Sequence, residues 1–271
     1  MIERLNAHYG FTKTPFGKTL APGMLHHHTS HNQAVARISW CIAQRTIGLV
    51  VGESGAGKTV AARAAIAALD QTRHTLIYVA NPTTGARGVC HHIVTSLGGV
   101  PRFQNAALFP QAADALAAEN TERGRQPVLA IDEAHLLDHD ALDLIRMLTN
   151  ADMDSASPLA CVLIGQPTLK RKMKLGILAA LDQRIAVRYT MGGLTPTETA
   201  SYIGHHLKLA GRSDPLFSDD ATTLIHDTSR GHPRMINNLA VHALLAAFAD
   251  NKAIVDESSA RTAVAEITTA D

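Results

Sequence analysis

With 271 residues, 46% of them hydrophobic, and a mean hydropathy of +0.01, the chain can build one α/β domain and a smaller helical one around real cores. Lys and Arg total 25 against 24 Asp and Glu, a net charge of +1, so a polyanionic partner has to be met by a local patch. No apolar run approaches the ~18 residues of a membrane span, and MIERLNAHYG lacks the basic-then-apolar order of a leader. Cys41, Cys90 and Cys161 are far apart and odd in number, which reads as reduced thiols in a cytoplasmic protein.

Residues 1–45 carry Arg4, Lys13, Lys18, Arg37 and Arg45 against Glu3 alone. Their LHHHTSH run (25–31) has a spacing that fits no standard metal site and reads as a solvated loop or the edge of a ligand pocket. IGLVVGESGAGKTVAARAAIAAL (47–69) then passes from an apolar strand through a glycine-rich turn into an Ala-rich helix. Four further apolar runs follow: TLIYVA (75–80), VLAIDEA (128–134), LACVLIG (159–165) and IAVRYTM (185–191). Continuous apolar strands separated by helix-length segments predict a five-stranded parallel sheet covered on both faces.

After Met191 the pattern turns helical. In LTPTETASYIGHHLKLAG, Thr195, Pro196 and Glu198 form a capping-box start and Gly211 a C-cap. FSDDATTLIHDTSRG repeats the scheme from Ser218 to Gly231, followed by PRMINNLAVHALLAAFAD and ESSARTAVAEI. The expected organisation is an N-terminal segment (1–45), an αβα core (46–191) and a helical domain (192–271). MINNLAVHALLAAF reads as core of that last domain and not as a membrane stripe.

Two motifs carry chemistry. Gly52, Gly55, Gly57, Lys58 and Thr59 satisfy GxxxxGK[ST] between a strand and a helix. Such a turn (Gly52, Glu53, Ser54, Gly55, Ala56, Gly57, Lys58, Thr59 and Val60) wraps phosphates with backbone N–H groups; Lys58 reaches the β/γ oxygens and Thr59 ligates Mg²⁺. In VLAIDEAH, Asp132 ends a strand, placed to hold the metal, and Glu133 follows as general base for water. The bland readings are a ligand-free glycine turn and a surface acidic pair.

One strand, TLIYVA, lies between the strands of these two motifs, and a Glu directly follows the Asp. That arrangement resembles the additional-strand, catalytic-glutamate class of P-loop NTPases. The letters DEAH are shared with a helicase family, but those enzymes use two such domains. The rest of the chain resembles the AAA+ branch. There Gln166, after LACVLIG, matches the polar sensor-1 position, where Asn or Thr is more usual. Arg234 in GHPRMINN matches the sensor-2 arginine that touches nucleotide from the lid, with a helix-capping ion pair as its bland alternative. Arg184 in LDQRIAVRY matches the arginine finger that reaches a neighbour's ATP, with Arg188 in reserve and a solvated basic residue as the bland reading.

The blocks YGFTKTPFGKTL, SHNQAVARISWCIAQRTIGLVVGESGAGKT, IDEAHLL, LIGQPTLK, LDQRIAVRY and GHPRMINNLA, spread over nearly the whole chain, resemble the ExeA-like ATPases. One branch of that family holds transposition regulators (TnsC/TniB-like) that assemble as rings or filaments on target DNA and recruit a transposase or integrase. The other holds secretion-pathway ATPases with a membrane span and a cell-wall-binding part. Finding neither part here points to the first branch and to a cytoplasmic protein without a membrane partner. The resemblance also implies ATP and Mg²⁺ as cofactors, and an N-terminal segment lying over the adenine, where Tyr9, Phe11 and Phe16 would pack.

Two surfaces are candidates for double-stranded DNA. TLKRKMKLG puts Lys170, Arg171, Lys172 and Lys174 within five positions, and NPTTGARG (81–88) offers Thr83, Thr84 and Arg87. A solvated helical face and an ordinary turn are the alternatives. No base-reading motif is present, so little sequence specificity is expected. A nucleotide-gated scaffold that recruits a protein without useful turnover is the competing class of function.

Overall fold

A computed structural model of the chain describes residues 2–17, 20–150 and 156–268. Lys18 and the last three residues of the expected helical domain lie outside the described residues. In chain order the elements are α1 (Ile2–Tyr9), α2 (Thr29–Ala43), β1 (Ile47–Gly52), α3 (Lys58–Ala67), β2 (His74–Val79), α4 (Gly85–Ser96) and α5 (Asn105–Thr121). They continue with β3 (Gln126–Ile131), α6 (His139–Leu148), β4 (Ala160–Gly165), α7 (Pro167–Met173), α8 (Ala179–Arg184) and β5 (Ile185–Met191). The last four are α9 (Pro196–Leu209), α10 (Asp219–Ser229), α11 (Pro233–Ala249) and α12 (Glu257–Thr268). Packing divides the chain into a sheet unit, His31–Ser54 with Lys58–Met191, and a helical unit, Met1–Ser30 with Gly55–Gly57 and Gly192–Asp271.

The sheet unit is built on five parallel strands in the order β2-β3-β4-β1-β5. Every residue of β1, β3 and β4 is buried, as continuous apolar runs demand of central strands covered on both faces. Alternate side chains of these central strands feed two cores. Leu49, Ile77, Leu129, Ile131 and Leu163 pack with Ile93 of α4, Leu116 of α5 and Leu142 of α6. Val50, Val128, Val162 and Ile164 pack with Ile38 and Ile42 of α2 and Ala62 of α3. The strand separating β1 from β3 in space is β4. TLIYVA lies between them only along the chain and forms the edge strand β2, whose Leu76 and Tyr78 are exposed on one face.

The helical unit starts as its caps dictate. Thr195 accepts from the Glu198 N–H at 3.2 Å while the Glu198 carboxylate accepts the Thr195 N–H at 3.0 Å. Ser218 accepts from the Ala221 N–H at 3.2 Å, and Gly211 follows α9 at φ 95°. Leu239, Ala240, Ala243 and Leu244 of α11 are core.

Tyr9, Phe11 and Phe16, expected beside a base, are instead buried with Leu207, Leu216, Phe217 and Leu239. The small helical unit uses these large apolar rings to fill its own interior. The 25–31 run is also not a solvated loop. Leu25 and His28 are buried, the His26 ring meets Tyr202 edge-on at 5.6 Å, and His26 Nε2 lies 3.0 Å from Ser201 Oγ.

Candidate nucleotide site

Because the strands are parallel, β1, β3 and β4 deliver Gly52, Asp132 and Gln166 to the same edge of the sheet. The register sets Ile131 beside Leu163 and Val51 beside Gly165. Ligands of open α/β sheets bind beyond this carboxyl edge.

After β1 the chain turns through Gly55 (φ 81°) and Gly57 (φ 95°), left-handed conformations that only glycine takes without strain. Glu53 and Ser54 are exposed, Ala56 is buried, and Val60 is half-buried on α3. Lys58 is buried at the start of α3, and its Nζ donates to the carbonyls of Gly52 at 2.9 Å and Glu53 at 2.8 Å. Thr59 Oγ1 donates to Asp132 Oδ2 at 2.7 Å. The two motifs, distant in sequence, therefore meet directly.

Asp132 is buried, and three donors hold it. Besides Thr59, the Tyr78 hydroxyl donates to Oδ2 at 3.2 Å and the Glu133 N–H donates to Oδ1 at 2.9 Å. Burial, and next the Asp132 charge, push the Tyr78 phenol above its ordinary value. A hydroxyl and a carboxylate side by side are hard oxygen donors of the kind Mg²⁺ takes, so these residues fit that ion.

Glu133 leaves β3 in the left-handed region (φ 49°, ψ 33°), where a side chain is rarely tolerated, and opens the 3₁₀ turn Ala134–Leu136. Its Oε2 lies 3.3 Å from His135 Nδ1. Gln166 is half-buried at the start of α7. The neighbouring Gly165 is needed for close approach: a Cβ there would meet Leu169 Cδ2 at 2.9 Å and the His135 backbone N at 3.1 Å.

The basic cluster does not act as one surface. Lys170 and Arg171 are exposed in the last turn of α7. Lys172 points the other way, donating from Nζ to the carbonyls of His135 at 2.8 Å and Leu137 at 2.6 Å. It is a structural cation in place of the expected DNA contact, because the turn after Glu133 presents two carbonyls to it. Lys174 Nζ pairs with Asp182 Oδ2 at 3.0 Å. Arg188, the reserve finger, binds the other Asp182 oxygen at 2.8 Å and the Ile185 carbonyl at 3.2 Å. Arg184 is half-buried at the end of α8.

In the second surface, Thr83 and Thr84 are exposed. Arg87 is committed to its own chain: its guanidinium donates to the Phe103 carbonyl and to Asn105 Oδ1 at 2.9 Å, and it lies 5.2 Å from the Phe103 ring centroid. In the helical unit, the Arg234 N–H donates to the Gly55 carbonyl at 3.3 Å. A Cβ on Gly55 would come within 2.7 Å of Arg234 Cβ.

Sequence reasoning did not single out Tyr78, His135 or Lys172 for this site. Tyr78 carried only a weak signal, a phenol on the exposed face of a strand. Lys172 carried a misleading one, its place in a charge run.

Residues 42–173 match the family described as AAA domain. Over 245 residues the chain is 32% identical to general secretion pathway protein A of Aeromonas hydrophila. That match covers 89% of this chain and 44% of the relative, so the chain spans less than half of that protein's length. Cdc6p of Pyrobaculum aerophilum superposes with a TM-score of 0.71 at 17% identity, covering 93% of this chain and 70% of that one. The ORC1 protein of Aeropyrum pernix, solved in complex with DNA, gives 0.62 at 16% identity, covering 90% and 67%. At such identities the two structures establish the fold. Residues 42–173 thus match an AAA domain, and the chain around them has the AAA+ P-loop fold.

Proposed function

We propose that the chain binds Mg·ATP at Gly52–Thr59, hydrolyses it, and uses the cycle to assemble on double-stranded DNA as a helper of transposition. The observation that carries the chemical half is the direct Thr59–Asp132 hydrogen bond with Glu133 next in sequence. Lys58 neutralises phosphate charge. Glu133 takes the proton of the attacking water, and Gln166 orients groups near the γ-phosphate. Bound Mg²⁺, held by Thr59 and Asp132, supplies charge neutralisation at the phosphates. Arg234 is proposed to read the phosphates held by the Gly55–Gly57 turn, which belongs to its own unit.

Self-association into a ring or filament completes the reading, with Arg184 as the finger for a neighbouring subunit. Such residues contribute roughly 10³–10⁵ in hydrolysis rate. The DNA half is supported by the exposed Lys170 and Arg171, and by a similar fold having been solved in complex with DNA. Partner and place follow from it: a transposase or integrase, in the cytoplasm. ATP turnover and DNA co-sedimentation over a salt series test it. ATP-dependent DNA binding that weakens with salt is expected; binding indifferent to ATP, or none at low salt, would reject the DNA half.

A second reading, an assembly ATPase of a secretion pathway, is favoured by the 32% identity to general secretion pathway protein A. Co-purification with envelope proteins and indifference to DNA would select it. A scaffold without useful turnover would keep its biological function in Glu133→Gln, which the other two would lose.

A further inference from the structure

Lys172 sits in the most basic stretch of the chain, yet its ammonium faces inward. We infer that Lys172 is a positioning residue for Glu133, acting through the backbone turn that carries the carboxylate; this rests on reading Glu133 as the general base.

Three contacts converge on that turn. Lys172 Nζ donates to the carbonyls of His135 and Leu137, which bracket the C-terminal end of the Ala134–Leu136 turn. The His135 ring, only 14% exposed, sets Nδ1 3.3 Å from Glu133 Oε2. Gly165 lets the end of β4 lie close against the His135 backbone N, 3.1 Å from where a Cβ would stand. The Glu133 backbone is left-handed at the head of this turn. Such a conformation is costly for a residue with a side chain and persists only where the surroundings over-determine it. The Asp132 carboxylate fixes one side by accepting the Glu133 N–H. Lys172 fixes the other side with two charge-assisted bonds, the stronger kind, made from a half-buried position. The helix that supplies Lys172 follows directly on Gln166, so one short segment bears on both the proposed base and the proposed γ-phosphate sensor.

A positioning role has a signature that neither a DNA contact nor a merely structural lysine shares. The full chain, Lys172→Met and Lys172→Arg are each prepared with and without Glu133→Gln. Turnover without DNA is measured, together with affinity for a fluorescent non-hydrolysable ATP analogue. Lys172→Met should lower kcat about tenfold, the scale on which small misplacements of a catalytic group act. Analogue affinity should stay within about twofold, since binding and chemistry separate in such a variant. Lys172→Arg, which keeps a cation with several donors, should recover most of the rate. In the Glu133→Gln background Lys172→Met should add nothing, as coupled residues are non-additive.

Full parental turnover in Lys172→Met, a parallel loss of analogue affinity, or the same tenfold loss on top of Glu133→Gln would each overturn the inference. Undiminished turnover in Glu133→Gln itself would instead remove the general-base reading beneath it.

Discussion

Thr59 and Asp132, 73 residues apart in the chain, share a 2.7 Å hydrogen bond that joins the phosphate turn to the acidic strand end. Asp132 keeps two further donors, the Tyr78 hydroxyl and the Glu133 N–H. Loss of the threonine hydroxyl therefore leaves no bare buried charge, so its effect on function can be separated from its effect on folding.

Thr59→Val keeps the shape of the side chain and removes the oxygen. Mg²⁺ dependence of ATP turnover, titrated in both proteins, should show an apparent affinity for the ion lower by about tenfold or more. The melting temperature should move little, since Asp132 remains hydrogen-bonded. An unchanged Mg²⁺ titration would remove Thr59 from the ion's site.

The cluster at the end of α7 divides into outward and inward cations. If DNA binds there, Lys170→Ala with Arg171→Ala should make the plot of log affinity against log salt shallower by up to about 2, at roughly 0.9 per phosphate contact. Lys172→Met should leave that slope alone. A slope that responds to Lys172 and ignores Lys170 and Arg171 would place the nucleic acid elsewhere.

Gly165→Ala tests the close approach between β4 and the turn after Glu133. The added methyl meets a movable Leu169 side chain at 2.9 Å, but also a backbone nitrogen at 3.1 Å. Overpacking of this kind costs about 1–3 kcal/mol, read by denaturant unfolding. Turnover should fall further than the stability loss explains, because the displaced backbone carries His135. Parental stability and turnover together would show that the turn yields freely.

His206 makes the helical unit acid-sensitive. Burial first, and then the nearby His205 and His26, push its imidazole down to about 4 from an ordinary 6.5. The folded state thus binds this proton less readily than the unfolded one. The stability is fully present above pH 6.5 and is lost as pH falls toward and through 4. His206→Phe retains a ring against Phe16, 5.2 Å away, and Tyr202, 4.5 Å away. Its melting temperature should decline less between pH 6.5 and 4; an identical decline in both proteins would assign the acid sensitivity to another group.

What the sequence determined alone were the features whose causes are local. A left-handed glycine at 55 and 57, an apolar run buried on both faces and a Thr-Pro-x-Glu cap are each decided within a few residues. The phosphate turn, the five strands and the starts of α9 and α10 were therefore legible. The place of Asp132 and Glu133 was legible too, because an acidic pair that closes an apolar strand has to stand at that strand's carboxyl end.

Tertiary structure decided what depends on a partner far along the chain. Sheet order put β4 between β1 and β3, bringing Gln166 to the same edge as Gly52 and Asp132. The direction of each long side chain was decided there as well. Lys170 and Lys172 are chemically alike and two positions apart, but only Lys172 meets the carbonyls of a turn 35 residues upstream. Tyr9 and Phe16 went to the helical core because burial rewards large apolar surface wherever the fold offers it. Local rules select the elements; desolvation and hydrogen-bond satisfaction, which act between distant segments, decide which side chains those elements turn toward the site.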